Sequence, residues 1–132
     1  GVIYFGETTW EMTDTEKRYL NTIAQKIAGK SHKVEVRGHT SMRPVGKADS
    51  KGDAWKPRDN WDLAYSRCRT VMNYLVKKGV KSYRIRMAVA ADHEPVSTGI
   101  DTEKLKQNSR VEVFLLDERV RNRKGTSKQE AK

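Results

Sequence analysis

The spacing of apolar residues separates two helical segments from the rest of the chain. In both segments apolar residues recur every three or four positions, which is the spacing of one helix face. Thr13 and Glu16 have the capping-box spacing that opens a helix, and Gly29 is a typical helix end. A second helix is predicted over residues 60–78 and is followed by Gly79. The positions predicted to face inward are Tyr19, Leu20, Ile23, Ala24, Ile27 and Ala28 in the first helix, and Leu63, Val71, Met72, Leu75 and Val76 in the second.

Four shorter segments have the pattern of β-strands. Residues 2–5 form an apolar run, and the other three segments alternate apolar and polar residues with a period of two. The alternating apolar residues are Val34 and Val36, then Tyr83, Ile85, Met87 and Val89, then Val111, Val113 and Leu115. A short helical turn is predicted at residues 102–106. The order β-α-β-α-β-(α)-β, with two amphipathic helices, predicts a sheet covered on one face, an α/β two-layer sandwich.

The remaining segments have no period. Residues 41–59 contain two prolines and two glycines, and loops of this length in a compact domain are usually functional or mobile. From Asp117 onward the chain is rich in Arg, Lys and Ser. We therefore predict a domain over residues 1–116 and a basic tail, flexible or forming a lone exposed helix, over residues 117–132. Because the chain opens within a strand-like run, we expect this domain to come from a longer protein.

Composition narrows the functional classes. The 132 residues suffice for one domain with a core. The chain carries 27 Lys and Arg against 17 Asp and Glu, a net charge of +10, so its surface either faces an anionic partner or is simply solvated. Outside the tail these basic residues are scattered rather than striped, which argues against nucleic-acid binding.

Cys68 is the only cysteine, which excludes an internal disulfide, and its position predicts a buried thiol. No apolar run approaches the ~18 residues of a membrane span.

The candidate chemistry is expected where a strand ends and the second helix begins. The strand ends in Gly38-His39-Thr40, and the helix opens at Asn60 and places Arg67 two turns later. Backbone amides, a hydroxyl, an amide and a guanidinium would thus meet at one end of the sheet. Such a set suits a carboxylate, which a guanidinium binds through two parallel hydrogen bonds. The alternatives are an ion-paired or solvated Arg67, a helix-capping Asn60 and a turn-capping Thr40.

Enzyme chemistry is not indicated by any motif. The sequence has no recognisable Ser/His/Asp set, phosphate loop or metal cluster, and no cofactor is predicted. His39 is the histidine nearest the candidate site. Because His32 and His93 lack ligand spacing relative to it, we expect His39 to bond loop backbone rather than a metal.

Three separated motifs resemble the OmpA-like C-terminal domain, the peptidoglycan-binding module of Gram-negative envelopes. Residues 34–40 read VEVRGHT and resemble the family's strand ending in Gly-His-Thr-Asp. Residues 60–71 read NWDLAYSRCRTV and resemble Asn-x-x-Leu-Ser-x-x-Arg-Ala-x-x-Val. Residues 108–114 read NSRVEVF and resemble Asn-Arg-Arg-Val-x-Ile. The resemblance covers residues 2–116 and implies a mixed four-stranded sheet with the helices on one face.

The resemblance also implies a function. Family members bind the peptidoglycan stem peptide noncovalently, usually at meso-diaminopimelate. An aspartate after Gly-His-Thr holds its amino group, and the helix arginine holds its carboxylate. Carried onto this chain, the resemblance implies a ligand-binding set of Arg67, Asn60, Thr40, Ser41, Arg110 and Leu63. Trp61 and the long loop before it point toward the type found in the MotB flagellar stator. That type implies a periplasmic homodimer whose parent protein is anchored in a membrane.

The chain departs from the family pattern at three motif positions. Ser41 stands at the aspartate's place, Ser109 at that of the first arginine of the last motif, and Ala64 at that of the motif serine. Losing a charge-assisted partner for an ammonium costs on the order of 1.5–3 kcal/mol, about tenfold to a hundredfold in affinity. Asp49, Asp53 and Asp59 are candidates to compensate. The alternative is a domain that has lost peptidoglycan binding and serves dimerisation or docking of a protein partner.

Overall fold

The computed structural model describes residues 1–43 and 55–120 and confirms the α/β two-layer prediction. Within these residues, four strands and two long helices alternate, with short helical turns before the third and fourth strands. The elements are β1 (Val2–Tyr4), α1 (Asp14–Ile27), β2 (His32–His39), α2 (Asn60–Lys77), a 3₁₀ turn (Ser82–Arg84), β3 (Ile85–Ala91), α3 (Thr102–Leu105), a second 3₁₀ turn (Lys106–Asn108) and β4 (Arg110–Arg119).

The four strands form one mixed sheet in the order β1-β4-β2-β3. Strand β2 is parallel to β3, and β4 is antiparallel to both β1 and β2. Strands β1, β2 and β3 therefore end at one edge, where β4 begins. We call this edge the carboxyl end of the sheet. The connections that follow β1, β2 and β3 all start there, which gathers distant segments of the sequence at one place.

The core lies between the sheet and the two long helices. Its fully buried members include Ile3, Leu20, Val34, Val36, Val71, Leu75 and Val111. Gly38 allows α2 to approach β2 closely, because a Cβ on this residue would lie 2.4 Å from the carbonyl oxygen of Ala64 and 2.6 Å from Cys68 Sγ. Cys68 is buried as predicted, and burial raises the pKa of its thiol to about 12.

The helix caps agree with the sequence at α1 and differ by one residue at α2. The side chain of Thr13 accepts a hydrogen bond from the backbone N–H of Glu16, which confirms the predicted cap. At α2 the capping side chain is Asp59, which accepts from the N–H of Asp62 at 2.8 Å. The interpretation of Asn60 as the cap was therefore wrong. Asn60 is the first residue of the helix, and its side chain is free to bond elsewhere.

Four predicted inward positions also differ. Tyr83 lies in the 3₁₀ turn before β3 and is exposed, so the third strand begins at Ile85. Tyr19 and Val76 in the helices and Leu115 in β4 are exposed as well.

The last strand is longer than the sequence pattern predicts. Strand β4 continues through Arg119, which pairs with His32, and the N–H of Val120 donates to the carbonyl of Ser31. The sheet thus extends beyond residue 116, since backbone pairing does not require apolar side chains. Residues 121–132 of the predicted tail and residues 44–54 of the predicted loop lie outside the described residues. None of the helices within residues 1–43 and 55–120 has the length and apolar content to cross a membrane.

Candidate functional site

A cavity of about 510 Å³ opens at the carboxyl end of the sheet. Its walls come from the connection after β1, the segment after β2, and the stretch from α3 to the start of β4. These segments are adjacent because β1, β4 and β2 are neighbours in the sheet. The lining residues are Phe5, Gly6, Glu7, Ser41, Met42, Arg43, Thr102, Leu105, Lys106 and Ser109.

The cavity combines apolar walls with charges of both signs. Phe5, Met42 and Leu105 supply apolar surface. Glu7 supplies a carboxylate, which accepts a hydrogen bond from Ser41 Oγ at 3.3 Å and lies 3.4 Å from Arg43 Nη1. The side chains of Glu7 and Arg43 are 45% and 74% exposed, so this ion pair sits at the mouth of the cavity. A ligand with an aliphatic part and ionic ends would match this lining.

One wall contains a buried hydroxyl without a partner. Ser109 is 1% exposed, and its Oγ makes no hydrogen bond to any of the residues that the structure describes. The backbone around it is fixed, because Ser109 accepts from the N–H of Phe5 at 2.9 Å and donates to the carbonyl of Lys106 at 3.3 Å. Buried polar groups are nearly always hydrogen-bonded, and leaving one unpaired costs about 1–3 kcal/mol. Because Ser109 also lines the cavity, its hydroxyl is a candidate partner for a molecule bound there.

Arg67 lies behind the cavity wall rather than in its lining. Its side chain is fully buried and makes four hydrogen bonds to backbone carbonyls. Nε donates to Thr9 O at 2.8 Å, Nη1 to His39 O at 2.9 Å, and Nη2 to Gly6 O at 2.8 Å and Glu7 O at 3.0 Å. A guanidinium has five N–H donors, so these carbonyls use most of them. Arg67 thus fastens the connection after β1 to the end of β2.

The electrostatic state of Arg67 follows from its burial. Desolvation lowers the pKa of the guanidinium to about 10, and the nearby charge of Glu7 opposes this shift. Arg67 is therefore still protonated at neutral pH. Its guanidinium carbon also lies 5.5 Å from the centre of the Phe5 ring, in a cation–π contact. Because Phe5 lines the cavity, Arg67 supports both the backbone and an apolar side chain of the wall.

The other predicted site residues are distributed around the cavity. Ser41 lines it. The buried Thr40 donates from Oγ1 to Ser41 O at 3.0 Å, and Asn60 Nδ2 donates to Arg43 O at 3.3 Å. Both side chains thus shape the segment that carries Ser41. Leu63 is buried, on the inner side of α2. Of the candidates to compensate for the missing aspartate, Asp59 caps α2, and Asp49 and Asp53 lie outside the described residues.

Arg110 belongs to a polar network beside the cavity. It is buried, and it donates from Nη2 to Glu94 O at 3.0 Å and from Nη1 to Asn108 O at 3.4 Å. Its Nε lies 3.5 Å from Glu112, an ion pair without hydrogen-bond geometry. Glu112 in turn contacts His39 Nε2 at 2.6 Å. The expectation that the His39 side chain bonds loop backbone was wrong, since its partner is this carboxylate.

Sequence reasoning missed the charged residues of the cavity lining. Glu7, Arg43 and Lys106 belong to connections, where no periodicity marks a side chain as important. The strand order was the one feature that could have indicated these residues. Residues that follow β1 and precede β4 must meet the end of β2 once the strand order is known. Among the residues that the structure describes, no group of three or more His, Cys, Asp or Glu could hold a metal ion.

The comparisons with known proteins agree with this fold. Residues 4–110 match the sequence profile of the OmpA family. The chain therefore belongs to the OmpA family, which confirms the resemblance carried by the three motifs.

Its relatives include envelope and motility proteins. The chain is 27% identical over 110 residues to the peptidoglycan-associated lipoprotein of Pseudomonas aeruginosa, covering 83% of this chain and 59% of that protein. It is 28% identical over 100 residues to motility protein B of Helicobacter pylori, covering 74% of this chain and 36% of that protein. The solved C-terminal domain of Helicobacter pylori MotB has the same fold, with a TM-score of 0.74 at 23% identity, over 99% of this chain and 93% of that domain. The chain thus spans between about one third and three fifths of these curated relatives.

Proposed function

We propose that this domain binds peptidoglycan noncovalently at the diaminopimelate residue of the stem peptide and so anchors a larger envelope protein to the cell wall. Membership of the OmpA family and a relative named for its association with peptidoglycan support this proposal. The observation that carries it is the cavity beside the Gly38-His39-Thr40 motif. The two motif positions where this chain carries serine, Ser41 and Ser109, both lie in its lining.

The chemistry of the cavity matches the end of a diaminopimelate side chain. That group has a short aliphatic stem and ends in one ammonium and one carboxylate. A volume of about 510 Å³ lies within the usual range of about 300–1,000 Å³ for small-ligand sites. Apolar contact with Phe5 and Leu105 would hold the stem, and the cations Arg43 and Lys106 at the mouth would hold the carboxylate.

The predicted site residues take two kinds of role in this proposal. Ser41 contacts the ligand. Thr40, Asn60 and Arg67 hold the walls of the cavity through the hydrogen bonds described above. Leu63 is a buried residue of α2, and Arg110 anchors the residues before β4 by donating to Asn108 O. The domain thus acts as a binding module without catalysis, and a rigid wall reduces the entropy lost on binding.

The setting of the whole protein is also a proposal. Solved fragments of Helicobacter pylori MotB that resemble this chain are described as its periplasmic domain. By this likeness we place the domain in the periplasm, attached to a membrane-anchored parent of the envelope or flagellar motor. Homodimerisation stays a prediction, which light scattering of the isolated domain at several concentrations would test.

Calorimetric titration tests the proposed function. The domain is titrated with a muropeptide whose stem contains diaminopimelate, and separately with one whose stem contains lysine, which lacks the second carboxylate. We expect saturable binding of the first and at least tenfold weaker binding of the second. Absence of heat, together with an unchanged thermal midpoint in the presence of both peptides, would overturn the proposal. That result would favour the alternative, a domain that serves dimerisation or docking of a protein partner.

A further inference from the structure

We propose that Glu7 holds the ammonium group of the ligand in this domain, at the place where Ser41 leaves the family aspartate missing, and that the buried hydroxyl of Ser109 completes the site. The inference rests on the proposed function and deepens it. It names the residues of this chain that read the side-chain amine of the stem peptide.

The carboxylate of Glu7 lies beside residue 41. Its Oε1 lies 3.3 Å from Ser41 Oγ, the atom next to the Cβ from which an aspartate at this position would extend its own carboxylate. A negative charge is therefore present beside position 41, although it comes from another segment of the chain. Ser41 donates a hydrogen bond to this carboxylate, which helps to orient it.

The backbone of Glu7 is fixed in advance. Arg67 Nη2 donates to the carbonyls of both Gly6 and Glu7, so the residue is tied to α2 although its side chain reaches the cavity mouth. A carboxylate on an anchored backbone loses less entropy on binding a ligand than one on a free loop. The buried arginine thus contributes to ammonium binding indirectly, by positioning Glu7.

The present partner of Glu7 can be exchanged for a ligand. Arg43 Nη1 lies 3.4 Å from Glu7 Oε2, and the Arg43 side chain is largely exposed. Exposed ion pairs of this kind contribute at most about 1 kcal/mol, so an incoming ammonium that is partly enclosed by the cavity competes successfully. Displaced from Glu7, the Arg43 guanidinium becomes available to the carboxylate of the same ligand.

Ser109 provides an independent observation. Ser109 lines the cavity, and its buried hydroxyl has no partner among the residues that the structure describes. A buried hydroxyl without a partner destabilises the domain unless a bound molecule pairs with it. Replacing Ser109 by alanine should therefore weaken ligand binding while leaving the domain equally stable or slightly more stable. A purely structural role would give the opposite sign of stability change.

The test is a calorimetric comparison of four proteins with two peptides. The proteins are the wild type, Glu7→Gln, Ser109→Ala and the matched control Glu11→Gln, which changes an exposed acid in the same connection outside the cavity lining. The peptides are the diaminopimelate muropeptide and the same muropeptide acetylated on the side-chain amine. Thermal midpoints of all four proteins are measured alongside.

We expect acetylation to weaken wild-type binding about tenfold to a hundredfold, the range of a charge-assisted hydrogen bond. Glu7→Gln should lose the same factor with the unmodified peptide and be nearly insensitive to acetylation. Ser109→Ala should lose about fivefold. Glu11→Gln should bind like the wild type.

The contrary outcomes separate the two proposals. If the wild type binds and Glu7→Gln binds equally tightly, with the same sensitivity to acetylation, the role of Glu7 is overturned while the proposed function stands. The role of Glu7 also fails if Glu11→Gln loses as much affinity as Glu7→Gln, because the effect is then one of general charge. If the wild type binds neither peptide, the proposed function is overturned and the role of Glu7 falls with it.

Discussion

Three arginines are buried among the described residues, and two of them, Arg67 and Arg84, cross-link the fold at opposite ends of the sheet. Of these two, only Arg67 lies next to the candidate site. Arg67 joins four carbonyls at the carboxyl end. Arg84, in the turn before β3, donates to His32 O and Ile27 O at 2.7 Å and to Ala28 O at 3.2 Å, which closes the end of α1 against the start of β2. Burial lowers the pKa of both guanidinium groups.

The comparison shows that burial of an arginine does not by itself mark a ligand site. Both side chains satisfy backbone carbonyls, which is a structural task. The difference lies in what surrounds them. Beside Arg67 the chain places a cavity lined by the carboxylate of Glu7, whereas Arg84 lies among the carbonyls of a helix end and a strand start, with its Nη2 unpaired among the described residues. In the proposed site, the groups that would contact a ligand are therefore the neighbours of Arg67 rather than Arg67 itself.

Removing each arginine gives the largest expected effects. We expect Arg67→Ala and Arg84→Ala each to lower the free energy of unfolding by about 3–5 kcal/mol, because several buried carbonyls lose charged donors. Denaturant unfolding measures this change. In the folded fraction, Arg84→Ala should keep the muropeptide affinity of the wild type, whereas Arg67→Ala should lose it as the cavity wall loosens. An Arg67→Ala protein of wild-type stability that no longer binds would instead assign Arg67 to direct ligand contact.

Moving the carboxylate from residue 7 to residue 41 tests whether the two positions serve the same part of the ligand. In a Glu7→Gln background, Ser41→Asp should restore affinity for the diaminopimelate muropeptide about tenfold to a hundredfold, since it returns a carboxylate to the same place. In the wild type the same substitution should gain little, because two carboxylates so close repel each other and one tends to stay protonated. Calorimetry on the four proteins of this cycle measures the coupling. Equal gains in both backgrounds would show that Glu7 and residue 41 serve different parts of the ligand.

The polar network beside the cavity should make stability depend on pH. Burial, and then the charge of Arg110, lower the pKa of His39 below its ordinary value of 6.5, although Glu112 opposes the shift. As the pH decreases, His39 is therefore protonated in the unfolded state at a higher pH than in the folded state. Stability is at its full value above pH 6.5 and falls as the pH decreases through that value, by at most about 1.4 kcal/mol per pH unit.

Denaturant unfolding between pH 8 and pH 5 measures this dependence. His39→Asn, which cannot titrate, should flatten the profile in that range. Arg84→Ala should keep the slope of the wild type, because Arg84 lies at the other end of the sheet. An unchanged slope in His39→Asn would assign the dependence to other groups.

The smallest effect is expected for the exposed cation Lys106. Lys106→Met keeps most of the aliphatic stem and should weaken muropeptide binding about threefold, because exposed charges contribute little. The loss should grow at low ionic strength, where screening is weak. Lys104→Met, a neighbouring lysine outside the cavity lining, is the matched control. Calorimetry at two salt concentrations measures both affinities. An equal loss of affinity in the two variants would contradict the role of Lys106.

Most of the fold could be predicted from the sequence, since periodicity reports which face of an element is buried. The Thr13 cap and the buried Cys68 followed from local patterns, whereas Ser41, which lines the cavity, was singled out only through the family resemblance. The predicted cap of α2 was wrong by one residue, because Asp59 and Asn60 are equally good capping residues. The length of β4 was missed because its last residues are charged, and their pairing is a property of the backbone.

The candidate site was only partly predictable, because it is built from distant connections. The spacing of the helix motif places Arg67 near the end of β2, but does not reveal that the carbonyls of Gly6, Glu7 and Thr9 arrive there first. The contact between Glu7 and Ser41 joins two aperiodic segments, so only the strand order brings it to light. Arg84 was missed for the same reason, since its partners belong to α1 and β2.

The most direct test of this account is an NMR titration of the isotopically labelled domain with the diaminopimelate muropeptide. We predict that the amide signals of Gly6, Glu7, Ser41 and Ser109 shift, while the Nε–H signal of Arg67 stays in place because it remains bonded to Thr9. Signals around Arg84 should not move. A large shift of the Arg67 Nε–H signal, without shifts at Glu7 and Ser109, would contradict the account and make the buried arginine the ligand contact.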